Sequence, residues 1–172
     1  MNRPYNRMHG GWARLIALLG LLADPSALAD TRQGWVIHVA DGDTVVVWDE
    51  AGHERMVRLA GIDAPEKDQP HGHAAHMALT HLVLGMDVRY EPYKRDRFGR
   101  WIGRVQVCGE DVGLRLIRLG LAWHYGRYAH EQPPEQRRAY AEAQARARAA
   151  RLGLWSQADP VPPWAWRARH GP

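Results

Sequence analysis

Between Gly34 and Trp48 the chain is rich in Val, Ile and Trp, and the run breaks only at Asp41-Gly42-Asp43. An Asp-Gly pair between strand formers closes a tight hairpin, so this stretch predicts two antiparallel strands and rules out an all-helical fold. A second turn follows at Asp49 to His53. Arg55 to Ile62 reads as a third strand, stopped at Asp63-Ala64-Pro65 because the residue before a proline is driven into an extended conformation. Asp87 to Tyr93 and Trp101 to Cys108 give two more strands, separated by the charged loop Lys94 to Arg100.

Helical spacing appears three times. Ala74, Met77, Ala78, His81 and Leu82 predict a first helix ended at Gly85. Asp111 is placed to cap a short helix carrying Leu114 and Ile117, and an Ala/Arg-rich helix is expected from about Glu135 to Leu152. Its arginines, Arg137, Arg138, Arg146, Arg148 and Arg151, read as a solvated face. The tail from Pro160 is expected to be neither regular helix nor central strand because of Pro160, Pro162 and Pro163. Trp164 and Trp166 should dock it on the domain. Five short strands, with one helix between the third and fourth and more at the end, suit an α+β fold built on a five-stranded OB-type barrel.

The first 29 residues read as a secretory leader. Arg3, Arg7 and Arg14 form the basic region, Leu15 to Leu22 the apolar core, and Ala27-Leu28-Ala29 the cleavage pattern. Export to the periplasm or the extracellular space is the expectation, with residues 30–159 as the domain, 160–172 as its tail, and no membrane attachment after cleavage. Losing three Arg and one Asp lowers the formal charge from +4 to +2, so a polyanionic partner is only weakly favoured by charge. Cys108 is the sole cysteine, so stability comes from packing rather than from an intrachain disulfide.

The chemistry lies where charge meets the strand ends. Arg58 and the carboxylates Asp63 and Glu66 gather at the end of an apolar strand, where burial without partners would be costly. Arg58 and Asp63 stand five positions apart, so strict alternation would put them on opposite faces. The strand must bend or end between them, and Gly61 permits this. Asp43, Asp63 and the Ala64 carbonyl then form a set of hard oxygen donors suited to one calcium ion, with water and phosphate completing its shell. His71, His73, His76 and His81 lack the cysteine or carboxylate frame of a zinc site.

Asp-Gly-Asp-Thr at 41–44, Arg-x4-Asp-x-Pro-Glu at 58–66 and Asp-x-x-Gly-Arg at 96–100, together with Leu152-Gly-Leu-Trp155, resemble the staphylococcal nuclease (thermonuclease-like) family over about residues 34–156. The resemblance implies a barrel with three helices and calcium-dependent hydrolysis of DNA and RNA phosphodiesters with low sequence specificity, leaving 3′-phosphates. It implies calcium carboxylates at Asp43 and Asp63, a general base at Glu66, phosphate-binding arginines at Arg58 and Arg100, and a nearby acid at Asp41. Ala64 stands where the best-known members carry threonine, which leaves the backbone oxygen as the donor. Tyr125 and Tyr128 are candidates for stacking on nucleotide. The alternative is a non-catalytic nucleic-acid-binding module on the same fold; a third reading, a protein-interaction domain using the Trp-rich tail, would leave activity indifferent to calcium removal.

Overall fold

The computed structural model describes residues 31–170, so the leader expected at 1–29 lies outside the described residues. Strands β1 (Arg32–Val39), β2 (Thr44–Asp49), β3 (Glu54–Leu59), β5 (Asp87–Arg95) and β6 (Trp101–Val107) follow one another in the sheet order β3-β2-β1-β5-β6. Pairing of β3 with β6, parallel and in the register Val57↔Trp101, closes that sheet into a five-stranded barrel. A two-residue strand, β4 (Ile62–Asp63), pairs antiparallel with β8 (Trp123–His124), and β7 (Glu110–Asp111) extends the edge at β6.

The barrel closes because alternate residues of its strands are apolar and turn inward. Val45 and Val47 of β2, Val57 and Leu59 of β3, and Val88 and Tyr90 of β5 are all buried, whereas Trp48 and Met56 face solvent. Pro92 sits beside a register shift in β5, where its missing N–H leaves no gap in a regular ladder.

Helix α1 (Gly72–Val83) caps the core, but with a face one residue away from the stripe predicted above. Ala75, Leu79 and Val83 are buried, while Met77 and His81 point outward. Apolar residues at helical spacing occur on both faces here, and packing against the barrel selects the one with continuous i, i+4 contacts. Helix α2 (Val112–Arg118) packs Leu116 and Ile117 into the same core, and α3 (Pro134–Ala149) lays Tyr140, Ala143 and Ala147 inward with its arginines exposed.

Asp111 ties these pieces together. Its carboxylate caps α2 through the Leu114 N–H (2.9 Å), accepts the buried Tyr140 hydroxyl (2.8 Å) and accepts Arg104 Nε (2.7 Å). Burial and the adjacent Asp111 push the Tyr140 phenol well up. Tyr140→Phe removes a buried donor to a charged acceptor and is expected to cost about 2 kcal/mol of stability, read by urea unfolding. An unchanged midpoint would show that Asp111 finds its third donor elsewhere.

The tail differs from its expectation. Pro163–His170 is a fourth helix, α4. Pro163 occupies the first helical position, where a missing N–H breaks no intrahelical bond, so the proline starts the helix instead of preventing it. A satellite cluster of Trp123, Ala147, Leu154 and Trp155 lies on this side of the molecule, and Trp164 meets Trp123 edge-on at 5.5 Å.

Candidate active site

Leu59 ends β3, and the chain reverses through Gly61 at φ +72, a left-handed conformation that a Cβ disfavours. A Cβ at that position would also run into the Gln132 side chain. The reversal carries Ile62 and Asp63 back toward Arg58. The Arg58 Nη2 then lies 2.8 Å from Asp63 Oδ1 and 2.9 Å from Asp43 Oδ2, while Nη1 donates to the Ile62 carbonyl at 3.1 Å.

The Asp41-Gly42-Asp43 turn supplies the opposing wall. The Asp43 N–H donates to Asp41 Oδ1 (3.0 Å), the Thr44 hydroxyl donates to Asp43 Oδ1 (2.9 Å), and the Asp43 carbonyl accepts from the Leu59 N–H (2.8 Å). Gly42 lets this turn press onto its neighbours: a Cβ there would stand 2.8 Å from the Ala64 methyl and 2.9 Å from that of Ala75. Ala64 joins the site through its own N–H, which donates to Asp43 Oδ2 at 3.2 Å. Two turns far apart in sequence are thus laced together around two acids.

Both acids are buried, Asp63 completely and Asp43 at 6% exposure. Burial pushes the Asp63 carboxyl above its ordinary range, with Asp43 adding to the effect and the Arg167 and Arg58 guanidiniums opposing it. Asp41 is pushed up to about 6, first by burial and then by the Asp43 charge. For Arg58 burial acts downward, but Asp43 and Asp63 outweigh it and the guanidinium is held more firmly charged than usual. A buried constellation with such strong mutual perturbation is the pattern of a functional site.

These groups open onto a single cleft of about 760 Å³. Asp41, Asp43, Arg58, Asp63, Ala64 and Glu66 all border it, and so do Arg100, Tyr125 and Tyr128. The groups are not all in mutual contact. Arg100 is tied by Nε to Asp96 Oδ2 (2.7 Å) within its own loop, which leaves its terminal nitrogens outside that bond. Tyr125 is half-buried, with its ring stacked on Trp164 (5.1 Å between centroids, 22° between planes). Tyr128 is 40% exposed and carries Lys94 Nζ at 4.9 Å over its ring.

Residues 56–157 match the family model described as staphylococcal nuclease homologue. The chain belongs to the staphylococcal nuclease family. It is 39% identical over 153 residues to a protein of Escherichia coli named as an uncharacterized endonuclease, covering 88% of this chain and 95% of that one. A protein of Haemophilus influenzae with the same name is 34% identical over 132 residues, covering 77% and 71%. A staphylococcal-like nuclease of Arabidopsis thaliana is 38% identical over 111 residues, which are 64% of this chain and 32% of the plant protein. Relatives so named support a nuclease function.

Two features of this family member bear on its chemistry. Arg167, beyond the segment that the family model matches, reaches the site from α4 and was invisible to the motif reading. Its Nη2 lies 2.8 Å from Asp63 Oδ2, and its Nη1 lies 3.2 Å from Asp63 Oδ1 and 2.5 Å from Glu66 Oε1. Burial acts downward on this guanidinium too, but Asp63 and Glu66 raise it above the ordinary arginine value. The second feature is the donor set. Asp41, Asp43, Asp63 and Glu66 border the cleft together with the guanidiniums of Arg58, Arg100 and Arg167. Among the described residues no three His, Cys, Asp or Glu side chains cluster as a cage, so a cation held by Asp43 and Asp63 would take most of its shell from elsewhere. Oxygen donors fit a hard cation that keeps several waters or substrate oxygens in its shell.

Proposed function

We propose that this protein is a calcium-dependent nuclease that hydrolyses phosphodiester bonds in DNA and RNA with little regard for sequence. What supports the reading is the convergence of Asp43, Asp63 and Glu66 with Arg58 on one open cleft, within a family whose named members include nucleases. Asp43, Asp63 and the Ala64 backbone would hold the ion. Calcium, when bound, supplies a Lewis acid against the developing phosphoryl charge.

The chain's own residues do the rest. Arg58 has five N–H donors, of which its contacts with Ile62, Asp43 and Asp63 occupy three, and the remainder can meet a phosphate oxygen. Arg100 borders the same cleft and offers a second planar fork, a geometry that matches phosphate. Glu66 would orient a water and take its proton. In this reading these groups address phosphate rather than base edges, which accounts for the low specificity proposed. Tyr125 and Tyr128 lie on the cleft as candidate surfaces for a nucleotide base, with Trp164 already covering one face of Tyr125.

Residues 30–172 should cleave single-stranded DNA and RNA when calcium is present and stop when a chelator removes it, with products ending in 3′-phosphates. Binding without cleavage would make the protein a nucleic-acid-binding module. Cleavage that persists in chelator would refute the metal requirement. The proposal that residues 1–29 direct export is checked separately, by amino-terminal sequencing of protein recovered outside the cytoplasm; a terminus at Met1 would overturn it.

A further inference from the structure

The last helix of the chain contributes a group to the site that none of the site motifs contains. Three contacts hold it there. The Gln69 side chain accepts from the Glu66 N–H (3.1 Å) and donates to the Val161 carbonyl (2.7 Å), which couples the turn carrying Glu66 to the start of the tail. Pro163 is buried, and Trp164 stacks on Tyr125. One helical turn beyond Pro163, Arg167 extends to Asp63 and Glu66, residues 104 and 101 positions away.

We propose that Arg167 is a positioning residue of this active site, holding Glu66 and Asp63 in their working orientation, so that the C-terminal helix completes the catalytic apparatus. The inference rests on the nuclease reading above. Glu66 is anchored through Oε1 alone, and its other oxygen has no partner among the described residues. With the side chain 37% exposed, that oxygen is free to meet water in the cleft. An unanchored glutamate on a surface turn would sample several rotamers, and fixing one of them by a charged hydrogen bond is how a proton acceptor is pre-organised. On Asp63, Oδ1 accepts from both Arg58 and Arg167, whereas Oδ2 accepts only from Arg167. One lone pair of Oδ2 therefore stays available to a cation, so Arg167 and a bound ion can share this carboxylate.

The experiment compares wild type, Arg167→Ala, Arg167→Lys, Glu66→Ala and the Arg167→Ala/Glu66→Ala double variant. Steady-state cleavage of a single-stranded oligonucleotide in calcium should show Arg167→Ala lowering kcat by roughly 10–100-fold with KM changed less than about threefold, the scale seen when residues supporting a site's reactive groups are lost. Methylguanidinium added to Arg167→Ala should restore part of the rate, and Arg167→Lys should be intermediate, because a single ammonium cannot span both carboxylates. Terbium luminescence should show ion binding retained in Arg167→Ala. Thermal unfolding in ion-free buffer supplies a readout without catalysis: the Tm loss from Arg167→Ala should shrink in a Glu66→Ala background, which removes the accepting oxygen. Equal or faster cleavage by Arg167→Ala, as expected if the tail were an inhibitory latch, overturns the proposal, and so does an additive Tm cycle. A wild type that does not cleave sinks the nuclease reading instead, while the Tm cycle still reports whether Arg167 and Glu66 are coupled.

Discussion

Glu66→Gln is expected to lower kcat by about 10²–10⁴-fold while leaving ion binding intact. The substitution keeps the size and shape of the side chain, and the amide oxygen can still accept from Arg167, so the anchor shown by Oε1 survives. What disappears is the capacity to take a proton. The ion would be held by Asp43 and Asp63, which this change does not touch. Parallel measurements of steady-state cleavage and terbium luminescence separate the two properties. Near-normal turnover would remove Glu66 from the role of base, and loss of ion binding would place it among the metal ligands.

Arg58→Ala should be the most damaging substitution for the fold. Asp43 and Asp63 are both buried, and Arg58 Nη2 bridges them at 2.9 and 2.8 Å. Removing it leaves two buried carboxylates close together, with only Arg167 to oppose them. Breaking a buried pair in this way costs about 3–5 kcal/mol. In ion-free buffer that corresponds to a fall in Tm of roughly 10–15 °C for a domain of this size. Calcium should recover more of the loss in Arg58→Ala than it adds to wild type, because a cation that binds only the folded chain stabilises it by mass action and would here replace the missing charge. A calcium response no larger than that of wild type would show that Asp43 and Asp63 do not form the ion site. Cleavage should be lost in either case, since the same guanidinium is proposed to meet the phosphate.

Much of this could be read from order along the chain. Asp41-Gly42-Asp43 as a hairpin turn, Asp111 as a helix cap and the reversal at Gly61 are local events, decided by which backbone angles the residues allow. The five strand spans were legible from their apolar composition and turns, and the motif spacing placed Asp43, Arg58, Asp63 and Glu66 near strand ends that the fold brings to one cleft. On α1 the expected stripe is met in part, since Ala78 and Leu82 pack against the core, but the barrel surface centres the buried line on Ala75, Leu79 and Val83 and leaves Met77 and His81 outside. Pro163 was misread because a proline forbids the interior of a helix but not its first turn.

What the amino-acid order determined by itself, then, was the set of elements and the residue types at their ends, because backbone preference and hydrophobic periodicity act over a few positions. Tertiary structure alone decided that Arg58 bridges two acids, that Arg100 is engaged by Asp96, and that Arg167 crosses about a hundred positions of chain to reach Asp63 and Glu66. Long-range ion pairs of this kind leave no periodic trace. Their partners are chosen by where the packed core leaves buried charge in need of an opposite one.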